Sequence, residues 1–182
     1  YKVIERKDIV LDSVGIRAIF PTIDGVWFGG TNSKAGFVSF QNDSDTKIVK
    51  LQKEITDFRS MSNSSNGILF LNAGTPANIY AMSTFAYSCA SSLMYSESGE
   101  KVFYDSMFID IKTKFGVIVG DPTEDCLSIL LTEDSGKTWN KIPCTNLPKT
   151  VDGEAAFAAS DTNVKIVDGV IFIISGGKKS RL

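Results

Sequence analysis

Histidine is absent from all 182 residues of this chain, and no other side chain has an unperturbed pKa that places its charge change near neutrality. That absence removes the usual general base, the Ser-His-Asp and Cys-His mechanisms, and the commonest transition-metal ligand. Cysteine is scarce. Cys89, in Ser88-Cys89-Ala90, has no evident cationic neighbour to lower its pKa and reads as a packing residue. Cys126 and Cys144 each lie nine residues from Ser135, so a hairpin centred there sets them opposite one another. They are then either a cross-strand disulfide, which favours an oxidising compartment, or two small buried thiols. No strand–Gly-x-Gly-x-x-Gly–helix pattern and no haem or iron–sulfur spacing occurs, so no cofactor and no metal is expected. No apolar run approaches the length of a membrane span, which argues against a transmembrane segment. The net charge of −2 supplies no basic field for nucleic acid or an anionic membrane. The chain also starts without Met and without a charged-then-apolar leader, as a mature or trimmed product would.

What is present is a β pattern. Helical periodicity is not sustained anywhere over ten residues, and short apolar runs alternate with Gly, Asn, Asp and Ser turns. Two markers repeat in step. Gly25, Gly67, Gly116 and Gly169 each open a hydrophobic strand, at intervals of 42, 49 and 53 residues. Arg17, Arg59, Asp105 and Glu154 each lead a small-then-apolar strand, at intervals of 42, 46 and 49. These are propeller-blade lengths. The expectation is an all-β β-propeller of four-stranded antiparallel blades. Residues 1–12 form a leading strand, 13–53 the first blade, 54–101 the second, 102–150 the third and 151–182 part of a fourth. About three and a half of seven blades are then present, the N-terminal part of a longer polypeptide, with blade edges that favour self-association.

Thr132, Asp134, Gly136 and Trp139 form the pattern Thr-x-Asp-x-Gly-x-x-Trp, an Asp-box. The Asp folds back on turn N–H groups, the Gly takes a positive φ, and the Trp packs beneath, so the motif is structural. The charged residues that open the inner strands, Arg17, Arg59, Asp105 and Glu154, should converge at the channel mouth, with Arg181 joining them. Either the arginines recognise an anionic group or a peptide segment, or the four charges pair off and staple neighbouring blades. Gly120-Asp121-Pro122 with Glu124 and Asp125 reads as a Pro-rigidified turn rather than a cation site.

Asp57-Phe58-Arg59, residues 74–80, Phe103-Tyr104-Asp105, Gly120-Asp121-Pro122, the Asp-box, residues 153–160, and Gly176-Gly177 with Ser180-Arg181 occur in that order. As an ordered set they resemble the bacterial relatives of the photosystem II stability and assembly factor, propellers of the sialidase superfamily with Asp-box (BNR) repeats. The resemblance implies a periplasmic, secreted or envelope-associated binding and assembly scaffold that is not an enzyme, with a protein partner or a small anionic ligand. Two other functions compete. One is a sialidase-like glycoside hydrolase, because Phe58-Arg59 matches part of that superfamily's arginine motif, although Ser60-Met61 breaks it. The other is an oxidoreductase, the generic label carried by many of these relatives, to which the residues here lend no chemistry.

Overall fold

The structure, a computed structural model, describes residues 8–65, 67–83, 90–159 and 161–182. Strands make up 50% of it, and the described residues contain no α-helix, so the all-β expectation holds. Three antiparallel four-stranded sheets follow one another along the chain. The first comprises β1 (Ile16–Pro21), β2 (Gly25–Gly30), β3 (Lys34–Ser39) and β4 (Lys47–Lys50). The second comprises β5 (Asp57–Ser64), β6 (Gly67–Ala73), β7 (Ala77–Met82) and β8 (Ser91–Glu97), and the third β9 (Tyr104–Asp110), β10 (Phe115–Gly120), β11 (Ser128–Thr132) and β12 (Asn140–Lys141). Each is a meander in which strands pair in chain order. Among the described residues the sheets form no closed ring.

The fourth unit departs from the expected pattern. Its leading strand was placed at Glu154, but β13 (Glu154–Ala155) is two residues long and pairs with β16 (Gly176–Gly177). The hairpin equivalent to β9–β10 is instead β14 (Val164–Val167) with β15 (Val170–Ile173). Residues 156–163, with three Ala followed by Ser, Asp, Thr and Asn, separate the charged marker from the β-branched run that forms the strand. Most of the leading strand expected over residues 1–12 lies outside the described residues, and residues 8–11 carry no strand. Cys89 also lies outside them.

The sheets pack face to face in sequence order, β5 between β1 and β9, and β9 beside β14. β6 shows why the sequence permits this. Its run Ile68-Leu69-Phe70-Leu71 has no polar alternation because both faces are covered: Ile68 and Phe70 pack toward the first sheet with Trp27, Phe37 and Phe58, and Leu69 and Leu71 toward the third with Ile118 and Leu130. Burial of each such side chain contributes about 1.5–3 kcal/mol. Inner strands are small and polar where they meet. Met107 N–H donates to Ser60 Oγ (2.8 Å), Ile109 N–H to Ser62 Oγ (3.1 Å), and Ser106 Oγ bonds Asn163 Oδ1 (3.0 Å). At the outer edge Glu97 takes hydrogen bonds from the Tyr95 and Tyr104 hydroxyls and from Lys141, tying the second sheet to the third.

Candidate functional site

The inner strands share a local irregularity that the repeat in sequence anticipates only in spacing. Ile16 and Ala18 oppose Gly30 and Gly29, leaving Arg17 as an extra residue in β1. Phe58 and Ser60 oppose Asn72 and Leu71, leaving Arg59, and Tyr104 and Ser106 oppose Gly120 and Val119, leaving Asp105. Three of the four charged markers are therefore the bulged residue of their strand. A bulge re-aims its side chain out of the pleat alternation, so the charge is freed from choosing one packed face of the sheet or the other. Gly29 keeps this region tight, since a Cβ there would meet Phe58 Cβ at 2.9 Å.

Arg17 and Arg59 converge on one carboxylate oxygen. Arg17 Nε lies 3.5 Å and an Arg59 terminal nitrogen 3.3 Å from Asp57 Oδ2. Their side chains remain 48% and 37% exposed, and with Ile16, Ala158 and Ala159 they line an opening of about 210 Å³. Arg59 Nε is buried and, among the described residues, has no hydrogen-bond acceptor. Asp105 is 2% exposed, and among the described residues its Oδ2 likewise has no partner. Burial and the neighbouring Asp121 carboxylate push Asp105 up to about 7, against the opposing pull of the Ala158 and Asp121 backbone and the Arg59 charge. Asp161, beside Ser60 and Met107, is raised to about 6, chiefly by burial.

The fourth marker, Glu154, and Arg181 sit elsewhere. Glu154 pairs with Arg181 at 2.8 Å and accepts from Ser175 Oγ at 2.6 Å and Val151 N–H at 3.0 Å. Those bonds, the Ser175 hydroxyl foremost, hold its carboxyl below the usual range. This pair lines an apolar groove between the third sheet and β15, apart from the arginine opening. The structure thus divides the five charged residues into two places, and the arginines take Asp57 as their common partner rather than Asp105 or Glu154.

Asp57 and Asp121 are the residues that sequence reasoning missed as members of the site. Asp57 stands two residues before Arg59, but the bulge at Arg59 breaks the alternation that would set the two on one face, so spacing alone did not point to it. Asp121 was no more legible, because its partner is distant in sequence: Asp121 Oδ1 accepts from Ala156 N–H at 3.1 Å. Asp125, grouped with it by proximity along the chain, pairs instead with Lys149 at 2.6 Å.

The Thr132–Trp139 turn is self-contained. Asp134 Oδ1 accepts from the N–H groups of Lys137 and Thr138 (both 2.9 Å) and from Thr132 Oγ1 (2.8 Å), and Asp134 Oδ2 from Thr138 Oγ1 (2.7 Å). Burial raises the Asp134 pKa, but these donors outweigh it and bring the carboxyl down to about 2. Gly136, at φ +82°, donates its N–H to Thr132 Oγ1, and its carbonyl accepts from Trp139 Nε1–H. Cys126 and Cys144 are joined by a disulfide across the base of this hairpin. Compared with family models, with curated proteins and with solved structures, the chain finds no match in any of the three.

Proposed function

We propose that this chain is part of a β-propeller whose role is binding rather than catalysis, and that Arg17 and Arg59 hold a carboxylate or similar anion presented by a protein partner or a small ligand. Three meandering sheets with the same strand order, packed in sequence along their inner strands, support the propeller reading. The disulfide supports a place outside the reducing cytoplasm, in keeping with an envelope-associated scaffold of the assembly-factor kind.

One observation carries the binding assignment. Two half-exposed guanidinium groups from adjacent sheets share a single carboxylate oxygen, and one of them keeps a buried Nε–H with no acceptor among the described residues. A guanidinium offers five donors in a fixed fork suited to two-point contact with a carboxylate, so one Asp57 oxygen leaves most of that capacity unused. Asp105 has a pKa suited to proton transfer, yet its burial keeps it from touching a substrate, and this favours binding over hydrolysis.

The test is direct observation of the Arg59 Nε–H resonance by NMR during titration with acetate, succinate and N-acetylneuraminate. A saturable shift with any of them, lost in Arg59→Gln, is the expected result. An unmoved resonance, together with equal recovery of proteins from an envelope extract by wild type and by an Arg17→Gln, Arg59→Gln variant, would remove the arginines from the binding role.

A further inference from the structure

Arg59 and Asp105 occupy matching places on neighbouring inner strands. Each is the bulged residue of its strand, and the strands are joined just beyond the bulges, where Met107 N–H donates to Ser60 Oγ. Each also keeps one buried polar atom, Arg59 Nε and Asp105 Oδ2, that has no partner among the described residues. A second link runs through the wall of the opening. Ala158 lines that opening with Arg17 and Arg59, and its backbone N–H donates to the Asp105 carboxylate. Two residues earlier, Ala156 N–H donates to Asp121 Oδ1. One short segment therefore borders the arginines and is held by two carboxylates.

The charges packed around Asp105 nearly cancel. β5 brings Asp57 and Arg59, with Arg17 of β1 beside them. β6 and β10 bring none, and Asp121 follows β10. The fourth unit brings Asp161 and, on β14, Lys165, whose charges offset one another. Glu154 and Arg181 pair with each other in the separate groove. Two arginines are thus set against Asp57, Asp105 and Asp121. With Asp105 ionised that group carries a net negative charge, which opposes an incoming anion; with Asp105 protonated it carries none. The Arg59 charge acts on Asp105, whereas Asp161 answers to Lys165. Burial and the Asp121 carboxylate push Asp105 up to about 7, so both of its forms are populated near neutral pH.

We propose that the arginine opening takes up an anion together with a proton, and that the proton resides on Asp105. This rests on the reading of Arg17 and Arg59 as an anion site. Asp105, being buried, touches no ligand and acts through Arg59 as a positioning residue. An ionised Asp105 draws on the Arg59 charge, and an anion at the opening draws on the same charge. The two negative groups compete for one cation, and a proton on Asp105 decides the competition in favour of the anion. Binding therefore strengthens on acidification and weakens above neutrality. By reciprocity, the factor that the proton adds to anion affinity is the factor that the anion adds to proton affinity.

The test titrates the full 182-residue chain with methanesulfonate, a monoanion that stays ionised throughout the range used, and reads binding from the Arg59 Cζ resonance. Affinity should rise about tenfold from about pH 8.5 to about pH 5. Asp105→Asn, neutral at every pH, should bind with the acid-form affinity throughout. In wild type the Asp105 carboxyl-carbon midpoint should move up by about one pH unit when methanesulfonate saturates the site. A wild-type affinity that does not change with pH, with binding still lost in Arg17→Gln, Arg59→Gln, would overturn the coupling and leave the anion site standing. Equal pH dependence in wild type and Asp105→Asn would also overturn it, because the proton would then reside elsewhere. No saturable binding at any pH would remove the anion site itself and the proposal with it. If Asp105→Asn fails to fold, the wild-type Asp105 midpoint with and without methanesulfonate decides.

Discussion

Two aspartates of the third sheet, Asp134 and Asp105, carry the same chemical group in opposite circumstances. Asp134 sits at an outer turn and receives four hydrogen bonds from residues no more than four positions away. Asp105 sits on the inner strand, buried, with a second carboxylate nearby and one oxygen unpartnered. Donors bring the first to about 2, and burial brings the second to about 7. The difference teaches how the molecule divides its labour. A carboxylate met by its own turn is architecture, because its charge is already spent in place. A carboxylate held in a dry setting within reach of the Arg59 charge keeps its ionisation open to adjustment.

The largest effect is expected where the local bonds are removed. Asp134→Ala deletes the acceptor of four hydrogen bonds in the turn, and charge-assisted bonds are worth more than neutral ones, so the loss should be about 3–4 kcal/mol. Urea unfolding measures it, and a loss below about 1 kcal/mol would mean that the disulfide and the burial of Trp139 hold the turn unaided. The disulfide comes next. Cys126 and Cys144 are 18 residues apart, and loop closure over that length predicts about 3 kcal/mol lost in the Cys126→Ser, Cys144→Ser pair. Because both devices restrain one hairpin, combining them should cost less than the sum.

Those two features were legible in the sequence for the same physical reason. The donors of Asp134 and the partners of the disulfide lie within one hairpin, so spacing alone brings them together. The repeat of Gly25, Gly67 and Gly116 likewise located the second strands of three sheets, since a turn residue and an apolar run are local properties. The site was less legible. Spacing found Arg17, Arg59 and Asp105, but it aligned Glu154 with them and so missed that the fourth inner strand begins ten residues later, at Val164. It also paired the charges by sign alone. Nothing in the order of residues says that Asp57 takes both arginines, or that Ala156 and Ala158 reach back to Asp121 and Asp105, because those contacts exist only once neighbouring sheets are packed.

Asp105 yields the next prediction, and its sign is opposite to that of Asp134. An acid whose folded-state pKa exceeds its unfolded value binds more protons when folded, so the stability it contributes is fully present below about pH 4 and is lost as pH rises toward about 7. Asp134, depressed to about 2, contributes above its unfolded value near 4, and that contribution fades as pH falls toward 2. Asp105→Asn should therefore gain stability relative to wild type across pH 4–7, reaching about 4 kcal/mol at pH 8, an order-of-magnitude figure from the linkage relation. Thermal unfolding across that range measures the difference. A flat difference would show that Asp105 is ionised at little cost, and the contrast with Asp134 would collapse.

The smallest change in stability should come from the arginines, and it is the sharpest probe of the contrast. Arg17 and Arg59 make part-exposed ion pairs with Asp57, so either Arg→Gln variant should cost under about 1 kcal/mol. Their electrostatic consequences should differ. The Arg59 charge is among those that favour the ionised form of Asp105, so Arg59→Gln should move the Asp105 midpoint further up, whereas Arg17→Gln should leave it nearly in place. Asp134, held by donors of its own turn, should titrate unchanged in both. Carboxyl-carbon NMR resolves both midpoints in one titration. If Arg17→Gln shifts Asp105 as much as Arg59→Gln does, the two arginines act on the buried acid as one charge, and the opening above it responds as a single unit. If only Arg59→Gln does, Arg17 is the arm that meets an incoming anion and Arg59 is the link between that anion and the acid below.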